Sequence, residues 1–205
     1  MHLDNKQHWE TIYSTKTAEE VSWTQARPTL SLYFIEQLAL SKDAAIIDIG
    51  GGDSHLVDFL LDAGYTNISV LDISEAAIAR AKKRLGERAE LVKWIVSDIL
   101  DFNPTSTYAV WHDRATFHFL RETVAQENYL KKVAQFAESL IVATFSTDGP
   151  LKCSGLEICQ YDEQSMKRMF GSAGFVNTTC KREDHVTPFA TTQNFVFCGF
   201  KRKMD

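Results

Sequence analysis

The chain has 205 residues, 44% of them hydrophobic and 24% charged, with a formal net charge of -5. That size suits one well-cored domain, and the acidic balance leaves no broad cationic field to hold a nucleic-acid backbone. No apolar run approaches the roughly 20 residues needed to span a bilayer, so neither nucleic acid nor a membrane is an expected partner.

The first ten residues, MHLDNKQHWE, are polar and lack the apolar core of a signal peptide. The four cysteines, Cys153, Cys159, Cys180 and Cys198, contain no C-x-x-C pair. No metal site is therefore expected, and a cytoplasmic location with reduced thiols is. Residues 1–43 hold Trp9, Tyr13, Trp23, Tyr33 and Phe34. They are predicted to form one or two helices covering the edge of a sheet, within a single domain spanning 1–205.

Strand-like and helix-like blocks then alternate, which predicts an α/β sheet with helices on both faces. The first strand is predicted over 45–49, followed by the three consecutive glycines Gly50, Gly51 and Gly52. A helix over 54–63 carries Leu56, Phe59, Leu60 and Ala63 on one stripe and stops at Gly64. The second strand, 68–71, ends at Asp72. Ser74 reads as the N-cap of a helix whose buried face is Ala77, Ile78, Ala81 and Leu85. A third strand over 91–96 leads to Asp98, and a fourth over 108–111 leads to His112 and Asp113. A helix over 122–138 and a strand over 140–145 follow. Residues 146–161 are predicted as a long loop, a length more often functional than incidental. A helix over 162–172 precedes two strands, 175–184 and 193–201, which should pair antiparallel because no helix separates them.

A strand entering a helix leaves the first N–H groups of the helix unpaired, and glycine lets a ligand approach the backbone there. Asp48 stands two residues before Gly50, where a carboxylate repels a pyrophosphate and suits an ammonium group. His55 occupies the place of the last glycine of a dinucleotide fingerprint. Asp72 at the end of the second strand can accept hydrogen bonds from two ribose hydroxyls. Asp98 after the third can accept from an adenine amine, with the flanking backbone reading the ring. Three acids at three successive strand ends converge on one edge of the sheet.

These residues resemble the class I S-adenosylmethionine-dependent methyltransferases. The resemblance rests on Asp48-Ile49-Gly50-Gly51-Gly52, Leu71-Asp72-Ile73-Ser74, Ser97-Asp98-Ile99, Trp111-His112-Asp113-Arg114 and the closing strand pair. It implies a three-layer Rossmann-like sandwich with a seven-stranded, mostly parallel sheet of order 3-2-1-4-5-7-6 and an antiparallel seventh strand. It implies S-adenosyl-L-methionine as cofactor, with Asp72 and Ile73 at the ribose, Asp98 and Ile99 at the adenine, and the glycine turn, Asp48 and His112 along the methionine part. The segment WHDRATFHF is similar to the thiopurine-type and lysine-methyltransferase-like subgroups, by which Arg114 would pair with the cofactor carboxylate. HWETIYSTKTAEEVSWTQ resembles the lid of those subgroups, which puts Trp9, Tyr13 and Trp23 over the cofactor or acceptor.

Asp113 and His118 are the candidates for proton traffic at the transfer point. Cys153, Ser154 and Tyr161 of the long loop could line the acceptor pocket. A small-molecule acceptor is the leading expectation. A protein lysine is the second, and a catalytically silent cofactor-binding protein the third; a nicotinamide dehydrogenase is a distant fourth.

Overall fold

The computed structural model describes residues 2–203. Helix α1 (His2–Thr15), a 3₁₀ turn and helix α2 (Thr29–Glu36) precede the first strand. Strands β1 (Ile46–Ile49), β2 (Ile68–Asp72), β3 (Val92–Val96), β4 (Tyr108–Arg114) and β5 (Ala137–Phe145) alternate with helices α3 (Leu56–Asp62), α4 (Glu75–Leu85) and α5 (Thr123–Phe136). Ser74 caps α4 as expected, its hydroxyl accepting from Ala77 N, and Gly86 ends that helix. Helix α5 runs straight into β5 with no loop between them.

After β5, the expected loop contains a small hairpin, β6 (Lys152–Cys153) with β7 (Leu156–Glu157), and a parallel bridge from Ser146 to Tyr161. Helix α6 (Glu163–Ser172) and the long strands β8 (Phe175–Val186) and β9 (Thr192–Arg202) complete the chain. The main sheet has the order β3-β2-β1-β4-β5-β9-β8. With the two-residue hairpin strands set aside, that is the expected 3-2-1-4-5-7-6. The last strand runs antiparallel to both neighbours.

Period-two alternation gives the central strands two dry faces, while the edge strands β3 and β8 are partly exposed. Ile46, Val110, Ile141, Phe195 and Phe197 pack under α2 and α3, together with Leu32, Phe34, Ile35, Leu56 and Leu60. Ile47, Ile49, Trp111, Leu140, Val142 and Phe200 pack under α5 and α6, together with Tyr129, Val133, Met166 and Phe170. Two apolar layers thus fix the sheet between helices, and the carboxyl ends of its parallel strands form one edge.

The expectation of four reduced thiols is corrected. Cys180 and Cys198 stand opposite each other in the β8–β9 register and are joined by a disulfide, with Cα atoms 4.2 Å apart. Cys153 and Cys159 are free. Among the described residues, no helix is long and apolar enough to cross a membrane.

Candidate active site

The carboxyl edge of β1, β2, β3 and β4 opens into a cavity of about 180 Å³. Its lining includes Asp48, Gly50, Gly51, Asp72, Ile73, Asp98, Ile99, His112 and Arg114 from the sheet, and Trp9, Tyr13 and Trp23 from the N-terminal segment. Of the residues expected at the site, Gly52, Asp113, His118, Ser154 and Tyr161 do not line this space, and the others, Cys153 included, do.

The turn after β1 requires its glycines. Gly50 and Gly52 have φ of +64° and +35°, a region that side chains disfavour. A Cβ on Gly51 would fall 2.5 Å from Asp48 Oδ2, and one on Gly52 would fall 2.6 Å from Asp72 Oδ2. Gly50 is closed in by the Thr116 hydroxyl, which donates to Ile49 O at 3.1 Å. The turn is packed so tightly against these side chains that only glycine fits, and the bare backbone of Gly50 and Gly51 lines the cavity beside Asp48 and Asp72.

Asp48 lies in the middle of a strand that is otherwise apolar and is only 3% exposed. A buried carboxylate needs a partner. The β1–β4 register supplies one by setting His112 opposite Asp48, with Nδ1 2.6 Å from Asp48 Oδ1. The other ring nitrogen of His112 is 2.9 Å from the hydroxyl of Ser31, a buried residue of α2. The pair forms a rigid polar floor that also faces the cavity.

Asp72 ends β2 and is buried. Its Oδ1 accepts from Ser74 N at 2.8 Å. Burial pushes its carboxyl up to about 7, the charges of Asp48 and Glu10 add to the rise, and the Ser74 N–H opposes it. Asp98 Oδ1 accepts from Leu100 N at 2.8 Å, which holds the β3 turn against the cavity.

The N-terminal segment roofs this floor. Glu10 of α1 accepts from the Ser74 hydroxyl at 2.8 Å and from Ala76 N at 3.1 Å, bonding the first turn of α4. A carboxylate there is favoured by the orphan N–H groups of a helix start. Trp9, Tyr13, Trp23 and Phe119 form an edge-to-face cluster, with Trp9 5.2 Å from Phe119 and 5.6 Å from Trp23 between ring centroids. Glu10, Ser31 and Thr116 were not foreseen from sequence, because each acts through a neighbour set by tertiary packing.

Asp113 and His118, expected at the transfer point, do not line the cavity. Alternation along β4 sends Asp113 to the face opposite His112 and Arg114, where it is fully buried. It accepts from Thr116 N at 2.9 Å, Phe117 N at 3.1 Å and the Tyr129 hydroxyl at 2.7 Å. Burial pushes its carboxyl up to about 6 against those bonds. His118 sits in a short 3₁₀ turn, fully buried between Phe119 and Phe145. Burial, with the charge of Arg114, pushes it down to about 3, so it is neutral near pH 7. Neither residue borders the cavity, and both brace its wall.

Arg114 reaches past the end of β4. Its Nη1 donates to Trp23 O at 3.1 Å, and its guanidinium lies 4.6 Å from the Phe195 ring centroid on β9. Nε and Nη2 are buried without a hydrogen-bond partner.

A doubly wound sheet with an antiparallel last strand, a glycine turn and acids at successive strand ends defines a Rossmann-like methyltransferase architecture. Residues 46–138 match a methyltransferase-domain family model. The chain is 30% identical over 105 residues to malonyl-[acyl-carrier protein] O-methyltransferase 1 of Ilyobacter polytropus, covering 51% of this chain and 39% of that protein. It is 22% identical over 148 residues to human EEF1A lysine methyltransferase 2, covering 67% of this chain and 62% of that one. The chain thus spans less than two thirds of either relative. Among solved structures, a 1,6-didemethyltoxoflavin-N1-methyltransferase of Burkholderia thailandensis with bound S-adenosylhomocysteine superposes with a TM-score of 0.69 at 16% identity, covering 98% of this chain and 85% of that one. A structure from work on thioacetal formation in echinomycin biosynthesis superposes with a TM-score of 0.75 at 14% identity, covering 97% and 93%. The fold is that of the class I S-adenosylmethionine-dependent methyltransferases, and the cofactor of that class is S-adenosylmethionine.

Proposed function

We propose that the protein transfers a methyl group from S-adenosylmethionine to a small-molecule acceptor. The observation that carries this reading is the row of Asp98, Asp72 and the glycine turn along one cavity wall, next to the buried Asp48–His112 pair. Asp72 would accept from the ribose hydroxyls and Asp98 from the adenine amine, with Ile73 and Ile99 against the rings. Gly50, Gly51 and Gly52 would let the methionine part lie close to the backbone beside Asp48. The bare backbone of Gly50 and Gly51 at the cavity wall fits such a ligand.

The cofactor supplies an activated methyl group on a positively charged sulfur. The protein's task is then alignment and exclusion of water. Trp9, Tyr13 and Trp23 close the cavity from above, and no described acid or histidine other than Asp48, Asp53, His55, Asp72, Asp98 and His112 borders it. The roofed cavity favours a small acceptor over a protein lysine, which must enter from outside on a long chain.

The reading is tested by calorimetric binding of S-adenosylhomocysteine, followed by transfer of labelled methyl to amines, thiols and extract proteins. Binding and turnover on small molecules support it. Binding with label only on protein moves the acceptor to lysine, and binding with no turnover makes the chain a silent cofactor binder.

A further inference from the structure

Three consecutive glycines give the turn after β1 more backbone freedom to lose than other residues would. Within it, Gly51 N donates to Leu71 O at 3.1 Å and Ser54 N to Gly51 O at 2.7 Å. Helix α3, which follows, has no side-chain bond at its His55 N-cap. A further hold comes from outside, from Arg84 in the last turn of α4. Its Nη1 donates to the Asp53 carbonyl at 3.1 Å and also to the Asp53 carboxylate. Its Nη2 donates to the Ser54 carbonyl at 2.8 Å and to Asp58 Oδ2 of α3 at 2.9 Å, and Nε donates to the same Asp58 carboxylate. All three nitrogens are thus used on one short stretch of chain. The side chains of Arg84, Asp53 and Asp58 are 25%, 17% and 23% exposed, so water screens these bonds less than it would at an open surface.

Asp53 and Ser54 border the cavity directly after the glycines, whereas Arg84 and Asp58 stand behind them. Asp72 and Asp98, at the ends of β2 and β3, take bonds from Ser74 N and Leu100 N. The guanidinium therefore acts on the part of the site assigned to the methionine moiety, and the nucleoside part has its own supports. A turn that is already ordered presents its backbone to a ligand without an ordering cost at binding. The planar fork of an arginine suits this task, because a lysine cannot hold two carbonyls and a carboxylate at fixed angles. We propose that Arg84 is a positioning residue for the cofactor. By clamping Asp53 and Ser54 between α3 and α4, it fixes the glycine turn in the shape that receives the methionine part of S-adenosylmethionine.

This inference rests on the cofactor reading above, and the test separates the two. Two probes are titrated by calorimetry: S-adenosylhomocysteine, and 5′-methylthioadenosine, which carries a methyl group in place of the amino-acid chain. Wild type should bind the first at least about tenfold tighter than the second. Arg84→Met should lose at least about tenfold in affinity for S-adenosylhomocysteine and less than about twofold for 5′-methylthioadenosine. Arg84→Lys should fall between Arg84→Met and wild type. Asp58→Asn weakens one end of the fork without touching the cavity, and should show the same pattern in smaller degree even if Arg84→Met does not fold. Equal losses for both probes would mark a merely structural role and overturn the inference. An unchanged ratio of the two affinities in Arg84→Lys and Asp58→Asn overturns it as well. Wild-type affinity for S-adenosylhomocysteine no higher than for 5′-methylthioadenosine overturns it without any reliance on a variant. Failure of wild type to bind either probe overturns the cofactor reading itself.

Discussion

Asp72 is buried beside Asp48 and Glu10, and its carboxyl titrates near 7 instead of near 4. A carboxyl raised on folding contributes stability that is present below its unfolded value and lost as pH climbs through about 7. Ribose hydroxyls donate to the ionised form, so cofactor binding should favour the opposite state. Affinity for S-adenosylhomocysteine should therefore rise between about pH 6 and 8. Glu10→Gln removes one of the charges that raise Asp72 and should move that midpoint down, while Asp72→Asn should flatten the profile. Calorimetry across this range checks both, and a flat wild-type profile would contradict them. Asp113 makes a different prediction. Asp113→Ala leaves two backbone N–H groups and the Tyr129 hydroxyl without an acceptor and should cost roughly 3 kcal/mol in denaturant unfolding. Asp113→Asn keeps an acceptor oxygen and should leave methyl transfer intact. A folded but inactive Asp113→Asn would restore the proton-transfer role.

The acids at Asp48, Asp72 and Asp98 were legible in the sequence because each follows a strand-like, mostly apolar run. The side on which Asp113 falls was not foreseen: it was expected at the transfer point, although it shares the parity of Trp111 and not that of His112 and Arg114. His118 was not legible, since a three-residue 3₁₀ turn has no periodicity to read.

At the level of elements, the N-terminal segment is a strap anchored at both sides of the cavity. Helix α1 holds α4 through Glu10, and Arg80 of α4 donates to Lys16 O. The segment after the 3₁₀ turn reaches β8, where His185 Nε2 is 2.7 Å from Ser22 O. Glu10→Ala removes the acceptor for the Ser74 hydroxyl and Ala76 N. It should weaken docking of the strap by about 1–2 kcal/mol and speed release of S-adenosylhomocysteine. Stopped-flow fluorescence of Trp9 and Trp23, both at the cavity wall, reads that rate; an unchanged rate would show that the strap does not gate the site. Aromatic density announced a cover for the sheet, but Glu10 could not be picked from its neighbours, because its role depends on where α4 begins in space.

Across the whole molecule, the layers and the converging strand ends followed from the alternation of blocks, and the sheet order from the family resemblance. The Cys180–Cys198 bond did not, since pairing two cysteines across β8 and β9 needs their register, which a bulge at Asn177/Thr179 shifts. The bond closes a sequence separation of 18 residues. Its reduction should lower unfolding free energy by up to about 3 kcal/mol. Urea curves with and without reductant check this. Cofactor affinity should be unchanged, because neither cysteine borders the cavity. The central claim is that the acidic strand ends and the glycine turn hold S-adenosylmethionine. Calorimetric titration of wild type and Asp72→Ala with S-adenosylhomocysteine tests it most directly. The account predicts saturable binding by wild type and a loss of at least about tenfold in the variant. Equal affinity of the two, or no binding by wild type, would contradict it.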